Sequence, residues 1–173
     1  MDIYEVFKTR RSIRSYQSRP VPDESLNKIL ESIRIAPSGS NRQPWKFIIV
    51  IDAELKKEVA RACSNQLWIA DAPIIIVACG WKIDYSRGGY MGDMSFLVDV
   101  SIAFTQMILA ARAEEIGTCW IGAFDNTKVK KLLEIPEDVD VVAITPLGFP
   151  KNVEFTPPGK RKQIDEITST NKY

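Results

Sequence analysis

Residues 96–117 read FLVDVSIAFTQMILAARAEEIG. From Phe96 to Ala113 the run is apolar nearly all round. A helix of that pattern belongs inside a core or an interface, because it has no face to give to water. Gly117 is expected to end it. Shorter elements lie on either side. WKFIIVI (45–51) and PIIIVAC (73–79) read as buried strands before the long helix, TCWIG (118–122) and VDVVAITPLG (139–148) as strands after it. Leu26, Ile29, Leu30 and Ile33 recur at helical spacing, so residues 23–35 form an amphipathic helix that stops before Pro37. ELKKEVARAC (54–63) and NTKVKKLLE (126–134) are helical, and a short helix runs from Asp2 to about residue 9. Residues 80–93, with Gly80, Gly88, Gly89 and Gly92, are expected to be loop. The order predicts an α+β domain over residues 1–173 with the long helix central and a polar tail from Pro150 onward.

Composition narrows the function. The chain has 173 residues, 45% apolar, with a net charge of +1, which argues against nucleic acid as the main partner. No apolar run is expected to cross a bilayer, and MDIYEVF lacks the basic and apolar regions of a secretory signal. Cys63, Cys79 and Cys119 are far apart and lack metal-ligand spacing, so no metal is expected, and a reducing, cytoplasmic setting is. The chain contains no histidine. Any catalysis must therefore do without the usual general base and nucleophile partner.

Three stretches carry polar groups that a core does not need. KTRRSIRSY (8–16) gathers Lys8, Arg10, Arg11 and Arg14 around Ser12. It is either a solvated turn or an anion site, since guanidinium forks and a hydroxyl suit phosphate. APSGSNRQPWKF (36–47) reads as a helix-to-strand loop, which accounts for Pro37, Gly39 and Trp45. It accounts less well for Ser38, Asn41 and Gln43, whose donors and acceptors suit the edge of a heteroaromatic ring. GTCWIGAFD (117–125) is a buried strand leading to Asp125 as a helix cap, with Gly122 placed to admit a ligand close to the backbone.

Taken together, RRSIRSY, APSGSNRQPWKF, the long apolar helix into GTCWIGAF, then ITPLGFP and a basic tail with its DEI segment resemble the nitroreductase family of flavin enzymes over nearly the whole chain. The resemblance implies a three-layer α+β sandwich. A central mixed or antiparallel sheet would be flanked by helices, with the long helix buried at the interface of a homodimer. It implies FMN at that interface, NADH or NADPH as donor and a small-molecule acceptor. By position, Arg10, Arg11, Ser12 and Arg14 resemble contacts to phosphate and ribityl, and Arg161 and Lys160 resemble phosphate ligands from the tail. Pro37, Ser38, Gly39 and Asn41 resemble the loop that reaches the partner's flavin. Asn65 and Gln66 are candidates for the ring edge, and Ile121, Gly122 and Ala123 resemble the segment whose backbone faces the flavin. The tail, 150–173, is expected to reach the partner subunit.

The missing histidine then has a reason, because the flavin carries the hydride chemistry and protein supplies binding and orientation. The resemblance implies a ping-pong cycle through flavin N5, with nitroaromatics or quinones as acceptors and no side-chain acid to name. Residues 80–93 are short where larger members cover the active site. Tyr85, Tyr90 and Met91 are either a lid over the substrate pocket or plain loop residues. Other readings remain open: dehalogenation, heterocycle oxidation, flavin-consuming chemistry, or a flavin store or sensor.

Overall fold

A computed structural model describes residues 1–84, 91–152, 154–157 and 159–173. The helices are α1 (Ile3–Thr9), α2 (Asp23–Arg34), α3 (Ala53–Ala62), α4 (Ser95–Ala113) and α5 (Asn126–Leu132). The strands are β1 (Trp45–Val50), β2 (Ile74–Trp81), β3 (Gly117–Thr118) and β4 (Val139–Gly148). The sheet runs β1-β2-β4-β3, and every neighbouring pair is antiparallel.

The side-chain alternation of β2 builds three layers. Ile74, Ile76 and Ala78 face α2 and α4, while Ile75, Val77 and Cys79 face α3 and α5. Both faces of the strand are therefore apolar, as its unbroken run of branched residues requires. At its end β2 meets α4 closely. A Cβ on Gly80 would sit 2.6 Å from Val100 Cγ2 and 2.8 Å from Phe96, so any larger residue would push strand and helix apart. The strand thus extends two residues into the expected loop.

Helix α4 has two apolar faces with different fates. Phe96, Val100, Ala103, Phe104, Met107 and Ala111 are buried against the sheet and α2. Leu97, Val98, Ile102 and Leu109 line a groove of about 620 Å³ on the other side, where Val98 and Ile102 are 45% and 37% exposed. Contrary to expectation, the segment Gly92–Ala113 is long and apolar enough to cross a membrane by length and mean hydropathy, 1.7. Its packing supplies the reason for that apolarity: one face fills the core and the other lines the groove. Gly117 does not end this helix. Glu115 takes the left-handed turn at φ 61°, Ile116 N–H donates back to Ala111 O at 2.8 Å, and Gly117 opens β3. The strand expected over 118–122 is two residues, Gly117–Thr118, plus a single bridge from Ile121 to Ile144.

Candidate functional site

The arginine stretch follows α1 as extended backbone along the sheet edge. Ile13 N–H donates to Thr118 O at 2.8 Å, and bridges join Ser12 to Thr118 and Tyr16 to Pro150. Ile13 and Tyr16 are buried, and Tyr16 Oη donates to Ile13 O at 2.6 Å, while Arg11 and Arg14 are exposed. The apolar residues of the stretch thus anchor it and the charged ones are turned outward.

The tail completes the site. Lys151 N–H donates to Ser15 O at 2.9 Å, and Phe155 packs on the cluster of Ile13, Tyr16 and Ala72. Arg11 Nη1 donates to Thr156 Oγ1 at 2.6 Å. Arg10, Arg11, Ser12 and Arg14 then share a cleft of about 240 Å³ with Pro157, Gly159 and Arg161. No carboxylate lines it, and among the described residues no ion pair joins any of its four arginines. Four guanidiniums and a hydroxyl around one small cleft form a donor set for a doubly charged anion. Lys160 is exposed and is not among the cleft's lining residues.

The loop after α2 is a second prepared element. Ser40, Asn41 and Gln43 all have positive φ, at 50°, 55° and 50°. Such conformations are strained for residues other than glycine and persist where surrounding contacts impose them. Those contacts are Gly39 N–H to Asp99 Oδ1 at 2.9 Å, Gln43 N–H to Ser38 Oγ at 3.0 Å, and Gln43 Nε2 to Asn41 O at 3.0 Å. Asp99 is a buried carboxylate on α4, so the loop is tied to the helix that also lines the apolar groove. Pro37, Ser38, Gly39 and Asn41 do not line the arginine cleft of their own chain. Asp99→Ala should cost about 1.5–3 kcal/mol by removing the hydrogen bond from the Gly39 amide to a charged carboxylate, read as a lower thermal midpoint, with Asp99→Asn recovering part of it. A midpoint unchanged in Asp99→Ala would contradict this role.

Other candidates fall elsewhere. Ile121 is buried by its bridge to Ile144, while Gly122 and Ala123 are exposed. A Cβ on Gly122 would meet only Trp120 Nε1, at 3.9 Å, so the space before this backbone is open. Asn65 lies in a different cleft, between α3 and α5, with Arg61, Lys128 and Lys131. Gln66 Nε2 is engaged with Cys63 O at 3.0 Å. Met91 is 41% exposed at the turn before α4, and Tyr85 and Tyr90 lie outside the described residues. Pro157 and Gly159 of the cleft, the Thr156 hydroxyl that accepts from Arg11, and the tie from Asp99 to Gly39 were not found from the sequence.

These are the features of a known family. The model of the nitroreductase family matches residues 7–83 and 63–149, and the chain belongs to that family. A protein of Archaeoglobus fulgidus named as a putative NADH dehydrogenase/NAD(P)H nitroreductase is 38% identical over 148 residues, covering 83% of each chain. An FMN reductase [NAD(P)H] of Bacillus subtilis is 32% identical over 167 residues, covering 84% of this chain and 66% of its own. Among solved structures, a nitroreductase family protein of Clostridium novyi NT superposes with a TM-score of 0.81 at 36% identity, over 88% of this chain and 87% of that one.

Proposed function

We infer that this chain is an FMN-dependent NAD(P)H oxidoreductase whose arginine cleft holds the cofactor phosphate. The observation that carries the reading is the set of four arginines with no counter-charge among the described residues, drawn from RRSIRSY and from the tail. That donor set fits a phosphate monoester. Arg10, Arg11, Arg14 and Arg161 would neutralise it, with the Ser12 hydroxyl as a further donor and Lys160, next to Arg161 in the chain, as a weaker candidate. When bound, FMN supplies hydride transfer from the nicotinamide donor to an acceptor. The chain's part is to bind and orient. The backbone of Ile121–Ala123, open at Gly122, would lie beside the ring, and the protons would come from solvent, because no side-chain acid is assigned.

The working unit is a homodimer of single-domain chains in the cytoplasm. The groove of α4 is the surface a second copy covers, and the loop Pro37–Asn41, tied to the same helix, then reaches the partner's flavin. Residues 159–173 are exposed wherever described, with Ile164 and Ile167 at 77% and 66%, consistent with a tail that finishes on the partner. Asn65 and Gln66 as ring-edge contacts, and the 80–93 segment with Met91 as a lid, remain part of this reading.

The acceptors are nitroaromatics and quinones, reduced in a cycle where the oxidised donor leaves before the acceptor enters. Initial rates with varied NADH and a nitroaromatic should give parallel double-reciprocal lines. Intersecting lines would overturn the ping-pong order.

A further inference from the structure

Arg112 stands in the last turn of α4 and is 6% exposed. Burial of a guanidinium is costly, and pulls its pKa down. Among the described residues no carboxylate pairs with it directly, and Glu115 and Glu5 act on it only as neighbouring charges. Its contacts run elsewhere. Nε donates to Thr9 Oγ1 at 2.8 Å, and that hydroxyl donates to Glu5 O at 2.6 Å, so the head group is fixed against α1. Its Cζ lies 4.0 Å from the centroid of the Phe155 ring. A cation over an aromatic face is attracted by the ring quadrupole, the more so when water is excluded.

Phe155 sits in the tail between the strand end and the cleft. The next residue, Thr156, accepts from Arg11, and Pro157, Gly159 and Arg161 follow on the cleft wall. Residues 154–157 belong to no helix or strand, so their position depends on side-chain anchors. Phe155 is the apolar anchor, and Arg112 caps its ring.

We propose that Arg112 is a positioning residue for the cofactor phosphate: by clamping Phe155 it holds the tail so that Arg161 faces Arg10, Arg11 and Arg14. The proposal rests on the phosphate reading. Arg112 is not itself among the cleft's lining residues. Its effect must pass through the tail, and should concern the phosphate rather than the flavin ring.

The test compares dissociation constants for FMN and for riboflavin, which lacks the phosphate. The proteins are the wild type, Arg112→Met, Phe155→Leu, Phe155→Trp, Arg161→Ala and the double variant Arg112→Met/Arg161→Ala. Arg112→Met and Phe155→Leu should each weaken FMN by about tenfold and leave riboflavin unchanged. Phe155→Trp, which keeps an aromatic face, should restore FMN affinity. The double variant should bind FMN no more weakly than Arg161→Ala, because both changes remove the same contact. Equal weakening of FMN and riboflavin would mean a general structural role and overturn the proposal, as would additive losses in the double variant. Should Arg112→Met fail to fold, Phe155→Leu decides through the same contact, and unchanged FMN affinity there overturns the proposal. A wild type that binds riboflavin as tightly as FMN, with Arg161→Ala silent, would overturn the phosphate reading and this inference with it. A silent Phe155→Leu beside a damaging Arg161→Ala would overturn the inference alone.

Discussion

Arg11→Ala and Arg14→Ala should each purify with little FMN and keep their fold. Both side chains are exposed, and neither forms an ion pair among the described residues, so the native core loses nothing when they are shortened. Arg11 gives up one hydrogen bond, to Thr156 Oγ1. A charge-assisted hydrogen bond is worth about 1.5–3 kcal/mol, which is roughly ten- to hundredfold in affinity per arginine. An exposed ion pair would be worth about 0.2–1 kcal/mol, and its loss would be hard to see. The magnitude therefore separates an anion site from a solvated turn. Fluorescence titration with FMN measures it, with circular dichroism as the check on folding. Full flavin retention in both variants would contradict the phosphate assignment. High salt should weaken the wild type in the same direction, because mobile ions screen the exposed guanidiniums.

Phe104→Ala should produce the largest loss of stability. The ring is fully buried on α4, stacks near Phe47 of β1 at 6.4 Å and meets Trp120 edge-on at 4.5 Å. It therefore ties the long helix to one sheet edge and to the segment leading to Gly122. Removing a buried phenyl group costs about 3–5 kcal/mol, including the cavity left behind. For a chain of this size that lowers the thermal midpoint by about 6–20 °C. Trp120 is 41% exposed and would lose its edge-on contact with Phe104, so the backbone of Ile121–Ala123 should loosen as well. Differential scanning calorimetry reads the first effect, and faster amide exchange at residues 120–123 reads the second. A midpoint within about 2 °C of wild type would contradict the packing described for this ring.

The regular elements were largely legible because their signals are local. Branched apolar runs marked β1, β2 and β4, helical spacing marked α2, and Asp125 caps α5 through Lys128 N–H as its position implied. What failed to show was set by contacts distant in the chain. Helix α4 ends at Ala113 and its left-handed turn falls on Glu115, a residue that rarely adopts one, so Gly117 drew the boundary too late. The short turn Leu67–Asp71 lies where no element was expected. Strand direction was left as mixed or antiparallel, and pairing across β2 and β4 decides it.

The site divides in the same way. Arg10, Arg11, Ser12 and Arg14 are adjacent, so their shared charge was visible. Their tail partners were not, because Arg11 and Thr156 are separated by 145 residues and only Arg161 carried a recognisable charge. Asp99 and Arg112 lie within the apolar helix, and neither was singled out from the sequence. Their partners, Gly39 and Thr9, lie 60 and 103 residues away, and nothing local pointed to them.

The most direct test of the account is the visible absorption spectrum of the purified protein, taken anaerobically before and after adding NADH and then NADPH. The protein should be yellow, with a flavin band that bleaches with at least one donor and returns when a nitroaromatic or quinone is added. A flavin band that neither donor bleaches, or a protein that takes up no FMN at all, would contradict it.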